Sequence, residues 1–99
     1  MWYAIISEDV VDSLPLRKIH RPAHLARLNA LAAQDRLLIA GPHPAIDATE
    51  PGDAGFSGSL VVAEFDDLAA AEQWASEDPY KLNGIYAKVT VKPYLKVLP

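Results

Sequence analysis

The sequence contains no cysteine among its 99 residues. Disulfides, thiolate metal sites and cysteine nucleophiles are therefore excluded, and nothing argues for an oxidising compartment. An excess of positive charge is also missing: 9 Lys and Arg against 13 Asp and Glu leave a net charge of −4. An acidic chain of this kind offers no electrostatic footprint for nucleic acid. No apolar run approaches the ~20 residues that span a bilayer. The opening residues, Met1-Trp2-Tyr3-Ala4-Ile5-Ile6-Ser7-Glu8-Asp9, lack a basic segment and reach acid too early for a secretory signal. The expectation is a soluble, cytoplasmic protein with no membrane and no nucleic-acid partner. What is present is 51% hydrophobic and 22% charged, an ordinary globular mix. The length suits one core and one domain over residues 1–99.

The chain organises around Arg17-Lys18-Ile19-His20-Arg21-Pro22-Ala23-His24-Leu25-Ala26-Arg27-Leu28-Asn29-Ala30-Leu31. Taken as a helix that begins slightly earlier, it sets Leu14, Arg17, Arg21, His24, Leu25, Leu28 and Leu31 at spacings of three and four. At roughly 100° per residue these share one broad face, and that face has to cover a core. Leucines there need no further account. A histidine and two arginines do, because buried polar and charged groups cost free energy unless partnered. One end of the helix is expected to line a pocket and the other to pack. Pro22 interrupts the pattern, since an interior proline removes a backbone hydrogen bond and commonly kinks a helix. Either one helix bends there, or a short segment precedes a main helix that holds Pro22 in its first turn.

Residues 2–7 read as a strand, aromatic and β-branched, with Trp2, Ala4 and Ile6 on one side and Tyr3, Ile5 and Ser7 on the other. Asp12 or Ser13 is a candidate N-cap, and Pro15 suits a first helical turn. The first helix runs to about residue 34. Residues 36–40 read as a short strand ended by Gly41-Pro42, followed by a long loop to Gly55. Residues 56–65 form the clearest strand, with Ser59, Val61, Ala63 and Phe65 on one face. Asp67 is the N-cap of a helix over residues 68–77, whose apolar stripe of Leu68, Ala71, Trp74 and Ala75 is continued by Asp78. Pro79 stops that helix. Residues 80–84 are a connector, 85–92 the last strand and 93–99 a tail. The order β-α-β-β-α-β predicts an α+β, ferredoxin-like fold, an antiparallel four-stranded sheet with both helices on one face. The other face still carries apolar side chains, so a homodimer through the sheet face is expected.

His24 is the first candidate for chemistry, a natural general acid–base at neutral pH; the competing account is a histidine satisfied by a backbone carbonyl at the core edge. Asp78 bears on that choice. A carboxylate at a helix C-terminus meets the negative end of the dipole, and this one also lies on the apolar stripe, so a histidine or arginine partner would offset both costs. An Asp that orients an imidazole is a familiar arrangement. The alternative is that Asp78-Pro79 only stops a helix. Arg17 and Arg21 are candidates for holding a substrate carboxylate or phenolate, or else form surface salt bridges. Ser59 is a candidate pocket hydrogen-bonder, with no G-x-S-x-G motif around it. His20 lies off the stripe of His24 and His43 falls in a loop, so three histidines without ligand spacing make a poor metal site. Asp47, Glu50 and Asp53 lack calcium-loop spacing. No metal and no cofactor is expected; the expected partner is a small-molecule substrate.

These residues carry a resemblance. Arg21-Pro22-Ala23-His24-Leu25-Ala26-Arg27-Leu28 is its densest part, continued by Arg36-Leu37-Leu38, Ala40-Gly41-Pro42, Ala54-Gly55-Phe56, Ala63-Glu64-Phe65, Asp78-Pro79-Tyr80 and Val91-Lys92-Pro93. In order and spacing, over essentially its full length, the chain resembles the YciI family of YCII-related proteins. Pro22 fits that family's pattern, which favours a helix restarting there. Asp35 departs from it, standing where relatives often carry glycine. The resemblance implies a dimeric α+β barrel and a pocket centred on a His/Asp pair, carried here onto His24 and Asp78. Some relatives are linked to dehydrochlorination of chlorinated aromatic diols, which implies acid–base chemistry on small aromatic or enolic compounds.

Overall fold

In the computed structural model, which describes residues 1–99, the backbone runs β1 (Trp2–Asp9), α1 (Leu14–Ala33), β2 (Leu37–Pro44), β3 (Phe56–Glu64), α2 (Leu68–Ser76), α3 (Pro79–Leu82) and β4 (Tyr86–Tyr94), with one 3-10 turn at Gly52–Ala54. The strands form one antiparallel sheet in the order β2-β3-β1-β4, so the α+β, ferredoxin-like arrangement expected from the element order is the one observed. No helix is long and apolar enough to cross a membrane.

Strand alternation decides which side chains meet the helices. Tyr3, Ile5 and Ser7 of β1 stand opposite Ala63, Val61 and Ser59 of β3, and all six are buried. Leu28 and Leu31 of α1 and Ala71 and Ala75 of α2 complete this core, with Phe65 at its end. The alanines let α2 approach the sheet closely, and its N-cap Asp67 accepts a hydrogen bond from the Ala70 N–H at 2.8 Å. On the opposite sheet face lie Trp2, Ala4 and Ile6, paired with Glu64, Val62 and Leu60. α1 and α2 both pack on the Tyr3 face, and of these six residues only Val62 is buried.

Several boundaries differ from the sequence expectation, each for a physical reason. β1 continues to Asp9 because Glu8 and Asp9 still pair with Lys88 and Tyr86. α1 is continuous through Pro22 rather than restarted there; the carbonyl that proline leaves without a donor belongs to Lys18, an exposed residue. Ser13 occupies the N-cap position, but its hydroxyl donates to Asp9 rather than capping the helix. β2 runs through Gly41-Pro42 to Pro44, since an outer strand tolerates proline where its N–H would point away from the partner. Asp35 adopts φ +56°, a left-handed conformation open to Asp and Asn at some cost. The second helix stops at Ser76, and Asp78 heads a separate turn, α3.

A second, smaller core forms from Tyr80, Ile85 and Tyr86. The two phenol rings meet edge to face, 5.6 Å apart at 84°. Burial pushes both phenols above their ordinary pKa, most strongly at Tyr86, where the Ser59 hydroxyl opposes the rise.

Two outcomes follow. A Cβ on Gly58 would fall well inside contact distance of the Ser7 carbonyl oxygen in the neighbouring strand. Gly58→Ala is therefore expected to cost at least about 2 kcal/mol, measured by urea unfolding. Folded-state phenol values raised above the unfolded value of about 10 also mean that stability, fully present below that pH, falls as pH climbs past it, because the unfolded chain releases protons that Tyr80 and Tyr86 retain. Denaturation midpoints followed through the alkaline range should show this fall, and Tyr86→Phe should make it shallower.

Candidate functional site

Arg17, Arg21 and His24 follow one another at steps of four and three along α1, so their side chains leave the helix on one side. Around them gather Asp9 from the end of β1, Ser59 from β3 and Asp78 from the head of α3. Arg17 is buried beside a carboxylate that is itself sealed, the side-chain exposures being 7% and 1%. Its Nε donates to Asp9 Oδ2 at 2.6 Å and its Nη2 to Asp9 Oδ1 at 2.9 Å, while Nη2 also reaches the Gly58 carbonyl and Ser59 Oγ, both at 2.9 Å. Ser13 donates a further bond to the same carboxylate at 2.6 Å. Burial lowers the pKa of Arg17, but the hydrogen bond and charge of Asp9 outweigh it and hold the guanidinium above its ordinary value. Ser59 accepts from Arg17 and keeps its own proton to donate.

His24 and Asp78 are in contact, as expected from their places on the inward stripes of the sequence. Nδ1 of the imidazole lies 2.8 Å from Oδ1 and 3.1 Å from Oδ2 of the carboxylate, and both side chains are buried. The local account of Asp78 is corrected, however. It does not end α2 against an unfavourable dipole. It is the N-cap of α3, accepting the Tyr80 N–H at 2.9 Å on the same Oδ1 that meets His24. A carboxylate at that position is locally favoured. Tyr80 also stacks on the imidazole, the rings 3.9 Å apart and 2° from parallel, and its hydroxyl donates to the Arg17 carbonyl at 3.2 Å. The ring plane of His24 is thus fixed twice, by a hydrogen bond in the plane and a stacked ring above it. In a neutral ring, Nδ1–H given to the acceptor-only carboxylate would leave the lone pair on Nε2; Nε2 has no protein partner and is not sealed from solvent.

These groups open into a cleft of about 280 Å³ lined by Arg17, Arg21, His24, Ser59 and Tyr80 at its polar end, with Leu25, Leu28, Leu37 and Val61 along its apolar walls. All five residues singled out from the sequence therefore lie in or around one space: four of them line it, and Asp78 stands behind His24. Arg21 is exposed and unpaired at the rim. His20 and His43 do not line the cleft, and no group of three His, Asp or Glu is set to hold a metal ion. A more open hollow of about 370 Å³ between α2, α3 and β4 holds Glu72 and Lys81 but none of the buried network, so we take the smaller cleft as the site. Two of its residues were missed in the sequence. Asp9 falls in the polar stretch 8–13 that breaks the first strand in the sequence reading, although an acid just past an apolar strand, with an arginine on the next helix, was the available signal. Tyr80 read as part of a connector.

With this geometry in view, likeness to known proteins becomes informative. The chain is 55% identical over 97 residues to the protein YciI of Escherichia coli strain CFT073, spanning 98% of this chain and 99% of that one. It is 52% identical over 97 residues to an uncharacterised protein of Haemophilus influenzae, at the same coverage. Among solved structures it superposes, with a TM-score of 0.82 and 25% identity over 96% of this chain and 94% of the other, on 5-chloro-2-hydroxyhydroquinone dehydrochlorinase from Burkholderia phenoliruptrix in complex with 2,5-dihydroxybenzoquinone. The pattern of the YCII-related domain matches residues 1–95, and, with the strands, the helices and the full-length relatives in agreement, the chain belongs to that family.

Proposed function

We propose that this protein binds a small aromatic or enolic compound in the cleft and moves a proton to or from it, as an enzyme of the lyase or hydrolase type. One observation carries this: an imidazole held at Nδ1 by a buried carboxylate, 2.8 Å away, on a residue that lines a cleft together with two arginines. In that setting Nε2 is the base, and Asp78 keeps the tautomer that exposes its lone pair and stabilises the imidazolium that forms. In an elimination, His24 takes the proton of a ring hydroxyl or an acidic C–H, the electrons move into the ring, and a small anion departs with its bonding pair. Arg17, Arg21 and Ser59 hold the oxygens of the substrate. The ligand named for the structural neighbour, a dihydroxybenzoquinone, has the size and planarity this reading calls for.

We further propose that the uncovered sheet face packs against a second copy. Trp2, Ile6, Leu60 and Ile39 stand on it, and an apolar sheet face without a cover is the usual mark of an interface.

The first test is a screen of phenols, enols and their halogenated forms for binding, with the products of each hit followed by mass. Turnover that drops by roughly 10²–10⁴ in His24→Gln and Asp78→Asn supports the enzyme. Binding with no chemical change in any hit would leave a binding module. Nitrogen NMR supplies a second check: neutral His24 should be the Nδ1–H tautomer, and Asp78→Asn should shift it towards Nε2–H. For assembly, sedimentation of the 10.8 kDa chain should return twice that mass, with Leu60→Lys returning the monomer. A wild-type monomer at micromolar concentration removes the dimer.

A further inference from the structure

The cleft does not end at its two arginines. A second hollow, of about 260 Å³, opens towards the start of α1. The two spaces share Arg17, Arg21, Pro42 and Tyr80 in their walls, so they are lobes of one cleft. His24 and Ser59 belong to the first lobe alone. Leu14, Lys18 and Phe56 belong to the second alone. The guanidinium of Arg17 lies at the junction, 5.2 Å from the centre of the Phe56 ring and 5.0 Å from that of Tyr80. The lobes differ in chemistry. The second is lined by three cations, Arg17, Lys18 and Arg21, and no carboxylate lines either lobe, although the chain as a whole carries a net charge of −4. Lys18 and Arg21 are exposed and form no ion pair. Such cations keep most of their hydration and add little by themselves. Arg17 differs, because it is buried. Its Nε and Nη2 are bound to the protein, but Nη1 donates to no protein atom and is not sealed from solvent.

We propose that the cleft takes a substrate in two parts: a ring seated against His24 and, on a short arm, an acidic group held in the second lobe by Lys18, Arg21 and Nη1 of Arg17. This rests on the function proposed above and adds a second half to its substrate. A buried, fixed donor beside two mobile cations suits a carboxylate, which accepts charge-assisted hydrogen bonds from all three. The arm follows from the spacing. Lys18 stands six residues before His24, about 9 Å along the helix axis. An acid attached directly to the ring that meets His24 falls short of Lys18, whereas two methylenes carry it across. Leu14 and Phe56 offer those methylenes an apolar wall. Because the negative charge lies in the other lobe, the imidazole keeps the lone pair that the proposed chemistry uses.

Calorimetric titration with para-hydroxyphenylpropionate tests this at about pH 7, where its carboxylate is ionised and its phenol is not. The matching amide is the neutral control. The acid is expected to bind about tenfold more tightly than the amide, the scale of a charge-assisted hydrogen bond. With the acid moved onto the ring, para-hydroxybenzoate against its amide should lose most of that preference. Lys18 is exposed, so its variants should fold. Lys18→Gln should lower the preference for the propionate about two- to fivefold, as for an exposed ion pair, and leave the affinity for the amide unchanged. Lys18→Glu should lower it further, and added salt should erode it in the wild type. Four results each overturn the proposal: propionate and amide binding equally, para-hydroxybenzoate showing the same preference, Lys18→Glu leaving the preference intact, or no saturable binding of the propionate at millimolar concentration. The functional reading fails separately, on an absence of turnover in the phenol and enol screen, which these affinity ratios do not touch.

Discussion

The buried pair of Asp9 and Arg17 is the contact on which the polar half of the molecule depends. It ties the end of β1 to the first turns of α1, and through the second amino group of the guanidinium it ties both to the backbone of β3. Tyr80 adds α3 by bonding to the Arg17 carbonyl. Leaving either charge alone would cost about 3–5 kcal/mol, the usual consequence of breaking a buried pair. The geometry of the cleft therefore follows from one ion pair that itself takes no part in proton transfer. The apolar half needs no such device, because Leu28, Leu31, Ala71 and Ala75 cover Tyr3, Ile5 and Ala63 by contact alone.

Asp78 shows how one side chain can meet two demands. Its Oδ1 satisfies an otherwise orphaned N–H at the head of α3 and also accepts from His24. The first bond belongs to folding, the second to the site. Because they share an oxygen, the carboxylate that orients the imidazole is held by the backbone of a helix rather than by a loop. Tyr80 extends the coupling, since the residue whose N–H fixes the carboxylate also stacks on the ring that the carboxylate orients.

Much of this was legible in the residues, for identifiable reasons. Alternation of two along residues 2–7 and 56–65 assigned each side chain to its sheet face, and the steps of three and four from Arg17 to Leu31 put His24 on the inward side of α1. The meeting of His24 with Asp78 could be inferred because each was costly alone. The inference reached the right contact from a wrong local premise, since a proline after Asp78 begins a new turn as readily as it ends the old one. β2 was cut short because Gly41-Pro42 has the chemistry of a turn, and only the position of β2 at the side of the sheet overrides that. Asp9 escaped because its partner lies across an irregular corner, where no periodicity connects residue 9 to residue 17.

The prolines of the outer strands have a consequence of their own. β2 and β4 are the two rims of the sheet, and both carry proline, at Pro42 and Pro44 on one side and Pro93 on the other. A rim strand presents a row of unused N–H and C=O groups, a template on which any extended chain can polymerise. Proline deletes donors from that template at fixed points, and Lys88 and Lys92 add like charge along the β4 rim. Strand-by-strand growth is therefore discouraged at both sides of the sheet.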